Sequence, residues 1–405
     1  MALTLEQIYT RYNQREFARI IEVKRRNTND TYEASWQNIE TLSGLRNLDK
    51  AVASISYSTP NDGFSFGIVN VGNLKLRLNS KFGQFDTEDN LNSIFYGYVR
   101  HKSLVRVRDG YVDKYTDYDT PVDVLATVFE GFIDGTSTAS KVDKDNILQD
   151  LQCVDALAFL LKENTLADMG ALVQTTLSNL IYEILNRAEF TDFFTVAALN
   201  IAPGYDITAL DMTQYEGQTQ LFTIFENLSL GHSIYFVRGG ILYYQDIKYN
   251  EATTFSVDEK KIINLSNYNN GADNVFEKFY WEDSSESYTA PTSLYNRSKT
   301  INIKGCTNST QKQNVLNYVG GVSRIQRKQV KLEIPYYPNI FIMQKITADY
   351  PEILPSDAFI WDVSNWDEAV WRLPVSASSI TQVNWVIRNI KHSGFKSTVI
   401  LEEVI

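Results

Sequence analysis

The chain has 405 residues, of which 43% are hydrophobic and 13% aromatic, so it can bury a sizeable core and is not a disordered protein. The 24 Tyr and 21 Phe favour a strand-rich fold, because flat rings cover cross-strand neighbours on a pleated sheet. A net charge of -11 argues against general nucleic-acid binding, which needs concentrated Lys and Arg.

Targeting and membrane signals are missing from the sequence. No run of 18 apolar residues occurs, so no membrane-spanning helix is predicted. Residues 1–14 predict an amphipathic helix, with Thr4 and Gln7 at capping-box spacing, in place of a signal sequence. Cys153 and Cys306 lie far apart in apolar or strand-like contexts, and we expect both to be reduced and buried after folding in a cytoplasm.

Residues 1–145 predict an N-terminal helix followed by a first β-barrel domain. An opening hairpin is predicted from Phe17 to Arg26 and Thr31 to Ile39, with its turn at Asn27 to Asp30. Turn signals such as Asp109-Gly110 separate further short strands at the spacing of a sandwich or barrel. These strands are predicted at Val52 to Tyr57, Gly63 to Val69, Gly72 to Asn79, Tyr96 to Arg100, Leu104 to Arg108 and Leu125 to Ile133.

Residues 146–250 predict a helical and α+β module. Leu151 to Leu161 is a compact apolar segment that predicts one helix, and residues 173–185 carry the apolar stripe of a second. A further helix, which Gly231 can end, is predicted from Leu221, Ile224, Phe225 and Leu228. Ile234 to Val237 and Ile241 to Tyr244 then predict a hairpin that turns at Gly239-Gly240.

Residues 251–405 predict a second, related β-barrel domain. A helix from Gln311 to Tyr318 interrupts its strands. The strands are predicted at Asn274 to Trp281, Lys299 to Lys304, Val330 to Ile334, Ile340 to Ile346, Val383 to Ile390 and Ser397 to Val404. The whole chain is therefore interpreted as a strand-rich α+β fold, in which the helical module is inserted between two related β-barrels.

Reactive motifs are equally missing. The sequence holds no GxSxG, HExxH, CxxC or P-loop, and His101, His232 and His392 each lie at a turn or strand end without a second ligand. We therefore predict no enzyme, no cofactor and no metal site.

An acidic cluster is the one candidate for calcium. It comprises Asp113, Asp117, Asp119 and Asp123. An EF-hand loop that began at Asp117 would need glycine where Val122 stands, so we interpret the cluster as a solvated loop.

Trp361, Trp366 and Trp371 recur at regular spacing in the loop over residues 359–373. Exposed, these rings would anchor a sugar or a protein partner, because Trp offers much contact area at little entropy cost. Buried, they would hold a long loop onto the second barrel, which is the interpretation we favour. They are the only candidate partner-contact residues.

Several segments, in their order along the chain, resemble the bacteriophage tail hub (baseplate hub) proteins that are also found in contractile injection systems. In the first half they are residues 63–85 (GFSFGIVNVGNLKLRLNSKFGQF), 103–113 (SLVRVRDGYVD), 127–134 (TVFEGFID) and 151–161 (LQCVDALAFLL). In the second half they are residues 217–229 (GQTQLFTIFENLS), 298–305 (SKTINIKG) and 384–404 (NWVIRNIKHSGFKSTVILEEV). The resemblance covers most of the chain.

The resemblance implies a structural virion protein at the distal end of a phage tail, assembled in the host cytoplasm. It implies a homotrimer whose two barrels per subunit form a pseudo-sixfold ring, which adapts a sixfold tail tube to a threefold central tip. Implied partners are the tail tube or distal tail protein, the tape-measure protein and a central tip, spike or fibre protein. Because the chain stops at Ile405 after its last strand, cell-wall digestion and receptor binding would fall to another protein.

Two alternatives remain open from the sequence. The first is a tail-tip protein that binds or degrades carbohydrate, with the Trp-rich loop beside Asp362 and Asp367. The second is another strand-rich tail or neck component, which the sequence separates poorly from a hub.

Overall fold

Most of the chain is described by a computed structural model. The described residues are 5, 7–8, 16–44, 52–58, 67–68, 70–80, 82–114, 122–143, 146–169, 174–187, 195–199, 201, 207, 210–229, 233–238, 240–246, 255–257, 262–269, 272–351, 380–393 and 396–404. Within them the helices with defined bounds are α1 (Ile39–Ser43), α2 (Ala156–Glu163), α3 (Leu166–Met169), α4 (Leu177–Arg187), α5 (Leu221–Ser229) and α6 (Ser309–Ser323). In this described part of the chain, no helix is both long and apolar enough to cross a membrane.

Strands dominate the structure. Those in the first part of the chain are β1 (Phe17–Arg26), β2 (Gln37–Asn38), β3 (Val52–Ser58), β4 (Gly67–Ile68), β5 (Asn70–Asn79), β6 (Val99–Asp113), β7 (Val122–Asp143) and β8 (Asn146–Asp155). Those in the middle are β9 (Gln174–Thr175), β10 (Thr195–Val196), β11 (Leu210–Asp211), β12 (Ser233–Arg238) and β13 (Ile241–Asp246). The last are β14 (Phe255–Val257), β15 (Asn264–Asn269), β16 (Lys278–Trp281), β17 (Ser287–Thr289), β18 (Ser298–Ile301), β19 (Gln329–Pro335), β20 (Lys345–Pro351), β21 (Ile380–Ser393) and β22 (Lys396–Glu403).

One strand arrangement occurs twice in the largest sheet. In the first β unit the strands lie in the order β3-β5-β8-β7-β6-β1, and in the second β unit the order is β15-β19-β22-β21-β20-β14. The same correspondence holds along the chain. The strands β1, β3, β5, β6, β7 and β8 of the first unit correspond, in that order, to β14, β15, β19, β20, β21 and β22 of the second. The units differ at one end, because β1 runs antiparallel to β6 whereas β14 runs parallel to β20.

The two β units are joined into a single sheet by their backbones. Residues Asn389 to Ser393 of β21 pair antiparallel with residues 54–58 of β3, so the combined sheet has 13 strands. It is open and branches at β21, with β15, β14 and β2 at its ends, and no sheet of the described strands closes into a barrel. The expected strand-rich α+β class is confirmed, and the two closed barrels are not seen in these strands.

The middle module matches its sequence pattern. The predicted stripe of α5, which comprises Leu221, Ile224, Phe225 and Leu228, is fully buried. The Phe225 ring packs edge-on against Tyr235, with ring centroids 4.3 Å apart. The predicted hairpin is formed by β12 and β13, and Gly240 supplies the positive φ of +76° that its turn requires. Parallel pairing of β4 with β12 attaches this hairpin to the first part of the chain.

The helix predicted over Leu151 to Leu161 is wrong in its first half. Residues up to Asp155 belong to β8, which lies between β5 and β7, and only the residues from Ala156 onward are helical. Burial alternates along residues 151–155, as in a strand, but this short stretch runs directly into the apolar residues of α2, and periodicity over so few residues does not separate a strand from a helix.

The turn predicted at Asp109-Gly110 is also wrong, because β6 runs straight through it. The glycine is explained by close packing: a Cβ at Gly110 would lie 1.8 Å from the Val124 carbonyl oxygen of the neighbouring strand. The two short strands expected at Tyr96 to Arg100 and Leu104 to Arg108 are likewise one strand, preceded by a turn-rich loop over residues 82–98.

Two further boundaries differ from expectation, and two predicted elements are described only in part. The second strand of the opening hairpin is reduced to Gln37–Asn38 because the Asn38 side chain caps α1 through the Glu40 amide. β20 begins at Lys345, after a loop over residues 336–344. Of the N-terminal helix the structure describes Leu5, Gln7 and Ile8, which are helical, and of the strand predicted at Gly63 to Val69 it describes residues 67–68.

Candidate functional site

Most of the residues singled out from the sequence lie outside the part of the chain that the structure describes. Trp361, Trp366 and Trp371 lie outside the described residues, as do Asp117, Asp119 and His232. Asp113 is buried and Asp123 is exposed on the next strand. No group of three or more His, Cys, Asp or Glu side chains that could hold a metal ion occurs in the described part of the chain.

Neither cysteine is a nucleophile in this fold. Cys153 and Cys306 are both free and buried, as expected. Burial raises the pKa of the Cys306 thiol to about 11, and burial together with the charge of Asp134 raises that of Cys153 further still. Thiolate chemistry at neutral pH is therefore disfavoured at both positions.

A buried polar cluster lies where the two β units meet, and it centres on Asp109 of β6. The Asp109 carboxylate accepts two hydrogen bonds of 2.7 Å from Arg19 of β1. It also accepts a hydrogen bond from the hydroxyl of Tyr336, a residue that follows β19, and the Tyr336 carbonyl in turn accepts one from Tyr111. Burial alone would lower the pKa of Arg19, but the bond to Asp109 outweighs it and the pKa is raised. This Asp109 cluster thus links the first β unit to the second through the two hydrogen bonds of Tyr336.

His392 extends the Asp109 cluster into the last hairpin. Its ring packs edge-on against Tyr336 at 5.0 Å, and its Nδ1 lies 2.8 Å from Ser397 Oγ. Burial, with a smaller effect from the charge of Arg19, lowers the pKa of His392 to about 3. The imidazole is therefore uncharged at neutral pH, and its contacts are with Tyr336 and Ser397 in the interior.

A second buried ion cluster surrounds Glu402 of β22. Its carboxylate accepts hydrogen bonds from Arg327 (2.9 Å), Arg388 (2.8 Å) and Gln329 (2.9 Å). Burial by itself would raise the pKa of Glu402, but the two guanidinium groups outweigh it and lower the pKa to about 2. This cluster holds the segment between α6 and β19 against the final hairpin.

A cleft opens beside the Asp109 cluster, and we call it the junction cleft. Its walls come from residues 128–130 of β7, residues 340–342, the β12–β13 turn and β21, and it is a shallow cleft whose cavity volume is only about 20 Å3. The walls are mainly apolar, and the polar side chains that line it are Glu130 and His392. A Cβ at Gly240 would lie 3.3 Å from Glu130 Oε2, so the carboxylate lies directly over the turn glycine.

A rigid loop projects from the small sheet of β16, β17 and β18. The Glu277 carboxylate accepts hydrogen bonds from the Ser293 hydroxyl and from the amides of Leu294, Tyr295 and Asn296. Burial opposes ionisation, but these donors lower the pKa of Glu277 to about 2. The loop displays Leu294, whose side chain is 85% exposed. The hydrogen bonds to Glu277 therefore fix the backbone that carries this exposed side chain.

Comparison with protein-family models found no match, and comparison with curated proteins found none either. Solved structures do match. A tail protein from Neisseria meningitidis MC58 is 10% identical and superposes with a TM-score of 0.54 over 96% of this chain and 97% of its own length. The 43 kDa tail protein of prophage MuSo2 from Shewanella oneidensis is 9% identical, with a TM-score of 0.52 over 96% of each chain.

A chain of the half-lidded Francisella PdpA-VgrG complex is 10% identical, with a TM-score of 0.50 over 97% of this chain. This chain spans 58% of the length of that one. At identities of 9–10% these matches establish the fold.

Proposed function

We propose that this chain, whose fold is that of phage tail proteins, is a structural hub at the distal end of a phage tail. Three copies form a ring, and their six β units give the ring an approximate sixfold symmetry. One face of the ring meets a sixfold tail tube or distal tail protein, and the other meets a threefold central tip, spike or fibre protein. No catalytic residue or cofactor is part of this proposal.

The repeated sheet topology is the observation that carries the proposal. Each copy contains the same strand order twice, so a trimer presents six similar sheets at nearly equivalent places. Other features occur only once per chain. β5 and β6 are separated by the loop over residues 82–98, whereas the matching strands β19 and β20 are separated by the shorter segment 336–344. Features present once per chain would recur three times around the ring, as a threefold partner requires.

The joint between the two β units suggests how neighbouring copies meet. Within the chain, the end of β21 that lies beyond its pairing with β20 pairs with β3. In the repeated order, β7 is the strand that corresponds to β21. The last residues of β7 pair with β8 on one side, and on the other side they extend beyond the residues that pair with β6. The matching strand to β3 is β15, an edge of the sheet. We therefore propose that β7 of one copy meets β15 of the next.

Large, rigid interfaces suit this chain physically. The two β units are fixed to each other by the backbone pairing of β21 with β3 and by the hydrogen bonds of Tyr336 in the Asp109 cluster. A ring subunit must keep its two contact faces at a fixed angle, because a small change in the angle between faces prevents closure. We propose that the chain is divided into residues 1–145, 146–250 and 251–405, and that this division helps to keep the two contact faces at a fixed angle. The strand β8, at the first boundary, pairs into the first β unit.

Ring formation and location in the tail test the proposal. Mass photometry and negative-stain microscopy of the purified protein should show trimers and rings, and gold-labelled antibody should bind the distal end of tails. A stable monomer at every concentration, alone and with tail-tube protein, would count against a hub. Label near the head would favour the neck component instead.

A separate assay tests the alternative that the protein binds or degrades carbohydrate. Trp361, Trp366 and Trp371 lie outside the described residues, so that alternative stays a prediction from the sequence. A cell-wall hydrolysis assay of the whole protein, with Asp367→Asn as the matched variant, distinguishes the two. Hydrolysis that this substitution abolishes would overturn the structural proposal.

A further inference from the structure

Glu130 in the junction cleft is a half-buried carboxylate with no hydrogen-bonding or ion-pair partner in the described structure. Its cross-strand neighbour on β6 is Arg106, which is hydrogen-bonded to Glu22 and stacked on Trp36. Burial raises the pKa of Glu130, and the charges of Arg106 and Lys24 offset this effect only in part. A desolvated acceptor beside apolar walls is complementary to a cation that carries apolar surface with it.

Such a surface exists on the same chain, at the end of α6. Arg324 and Ile325 are exposed there, and no described carboxylate contacts the Arg324 side chain. A hydrogen bond of 3.1 Å from the Tyr295 hydroxyl to Gln326 connects this segment to the rigid loop that displays Leu294. We call Leu294, Arg324 and Ile325 the exposed patch.

We propose that the exposed patch of one copy docks at the mouth of the junction cleft of the next copy, with Arg324 paired to Glu130 and with Leu294 and Ile325 beside Val237 and Phe341, the apolar residues of the lining that are only half-buried. The proposal rests on the ring described above and adds a specific contact to it. Patch and cleft are different surfaces, so their contact is head-to-tail, and a head-to-tail contact that closes produces a ring.

Three observations favour a second copy as the occupant. The charges are complementary, and each of the two charged groups is without a partner in the described structure. The patch lies just before β19, the neighbour of β15, and the cleft is partly built by β7, so the contact involves the same two regions as the proposed β7–β15 joint. The arginine also matches the site better than a lysine would, because its planar head can bind a carboxylate through two hydrogen bonds.

Both surfaces are fixed before they meet. Glu277 holds the loop that carries Leu294 through the four hydrogen bonds described above. On the other side, His392 is held by Ser397 and Tyr336, so one wall of the cleft is fixed by the Asp109 cluster. Little conformational freedom is lost on docking, which increases the affinity that a small contact can reach.

A charge exchange tests the contact directly. Arg324→Glu and Glu130→Arg are each expected to weaken self-association by about tenfold or more, because like charges then meet at the interface. The double variant, Arg324→Glu with Glu130→Arg, should restore association to within about threefold of the natural chain. Sedimentation velocity measures the association, and circular dichroism with thermal unfolding shows that each variant is folded.

Glu130→Gln provides a milder variant, and it should weaken association without adding a repulsive charge. A cysteine pair, Ile325→Cys with Phe341→Cys, should give disulfide-linked oligomers that neither single variant gives; the native cysteines are buried. Unchanged association in both single charge variants, or no recovery in the double variant, would overturn the contact. If rings persist in those variants, the proposed hub stands and only this contact is refuted. If the natural chain is a monomer but is located at the distal end of tails by antibody labelling, self-docking is refuted and the tail location stands.

Discussion

Replacing Asp109 by Asn should lower the free energy of unfolding by about 3–5 kcal/mol, because it leaves a buried charge without its partner. The Asp109 side chain is completely buried, and the Arg19 side chain that it binds is 17% exposed. Asn keeps the shape of Asp but carries no charge and can accept at one oxygen only. The Arg19 guanidinium would remain charged in a largely dry place, and the Tyr336 hydroxyl would compete with it for that single acceptor.

Asp150→Asn is the matched control for this substitution. Asp150 also accepts two hydrogen bonds from one arginine, Arg77, at 2.7 and 3.0 Å. The Arg77 side chain is 43% exposed, so water can solvate it when the carboxylate is lost. We therefore expect a much smaller effect, as is usual for surface pairs. Urea unfolding followed by tryptophan fluorescence gives both values, and an unchanged dependence on urea shows that the change is one of stability.

A double replacement separates the cost of the unpaired charge from the worth of the pair. Arg19→Met with Asp109→Leu removes both charges, and we expect it to recover a large part of the loss seen in Asp109→Asn. Equal costs for Asp109→Asn and Asp150→Asn would refute the reasoning, as would a double variant that is no more stable than Asp109→Asn. Either result would mean that burial does not decide the strength of this cluster.

Three further outcomes are expected. Phe225→Ala should cost about 3–5 kcal/mol in urea unfolding, because the ring is fully buried against aromatic neighbours, and a loss below about 1 kcal/mol would show that α5 is not packed as described. Glu402, whose pKa is lowered to about 2, should contribute about 3 kcal/mol of stability above the unfolded-state pKa near 4.3, and this stability is lost as the pH falls towards 2. Acid unfolding of Glu402→Gln should therefore lack that dependence, and identical acid limbs for the two proteins would contradict it. Gly320→Ala should destabilise α6 by about 1–3 kcal/mol, because its Cβ would lie 2.1 Å from the Tyr288 ring. A Cβ at Gly321 meets no atom within 4 Å, so Gly321→Ala should be neutral or stabilising. Thermal unfolding compares the two variants, and equal effects would be inconsistent with the packing.

The elements that the sequence predicts well are those formed by neighbours along the chain. The buried stripe of α5 and the hairpin of β12 and β13 follow from local spacing, and so does the final hairpin of β21 and β22. The resemblance to phage tail proteins, which depends on the order of such segments, is confirmed for the fold. Local pattern is informative here because each of these segments is amphipathic with one buried face.

Contacts between distant segments cannot be predicted from the local spacing of residues. Nothing in the composition of β21 indicates that it pairs with β3, about 330 residues earlier. The Asp109-Gly110 pair carries a turn signal, yet the aspartate binds Arg19 and the glycine admits a neighbouring backbone within one long strand. The Asp109 cluster, the junction cleft and the exposed patch all assemble residues from separate elements, so no motif search could have found them. The Trp-rich loop over residues 359–373 stays a prediction.

The pairing of β21 with β3 also sets the order in which the protein can be completed during its synthesis. β3 leaves the ribosome early, but its partner on that side follows about 330 residues later. At roughly 5–20 residues per second, this edge of the first β unit stays uncovered for roughly 15–70 seconds. An uncovered strand edge can pair with the same edge of another nascent chain, so closely spaced ribosomes on one messenger would favour misassembly. The hairpin of β21 and β22 therefore protects the chain from aggregation as well as completing its sheet, and slow translation of the segment between β3 and β21 would lengthen the exposure.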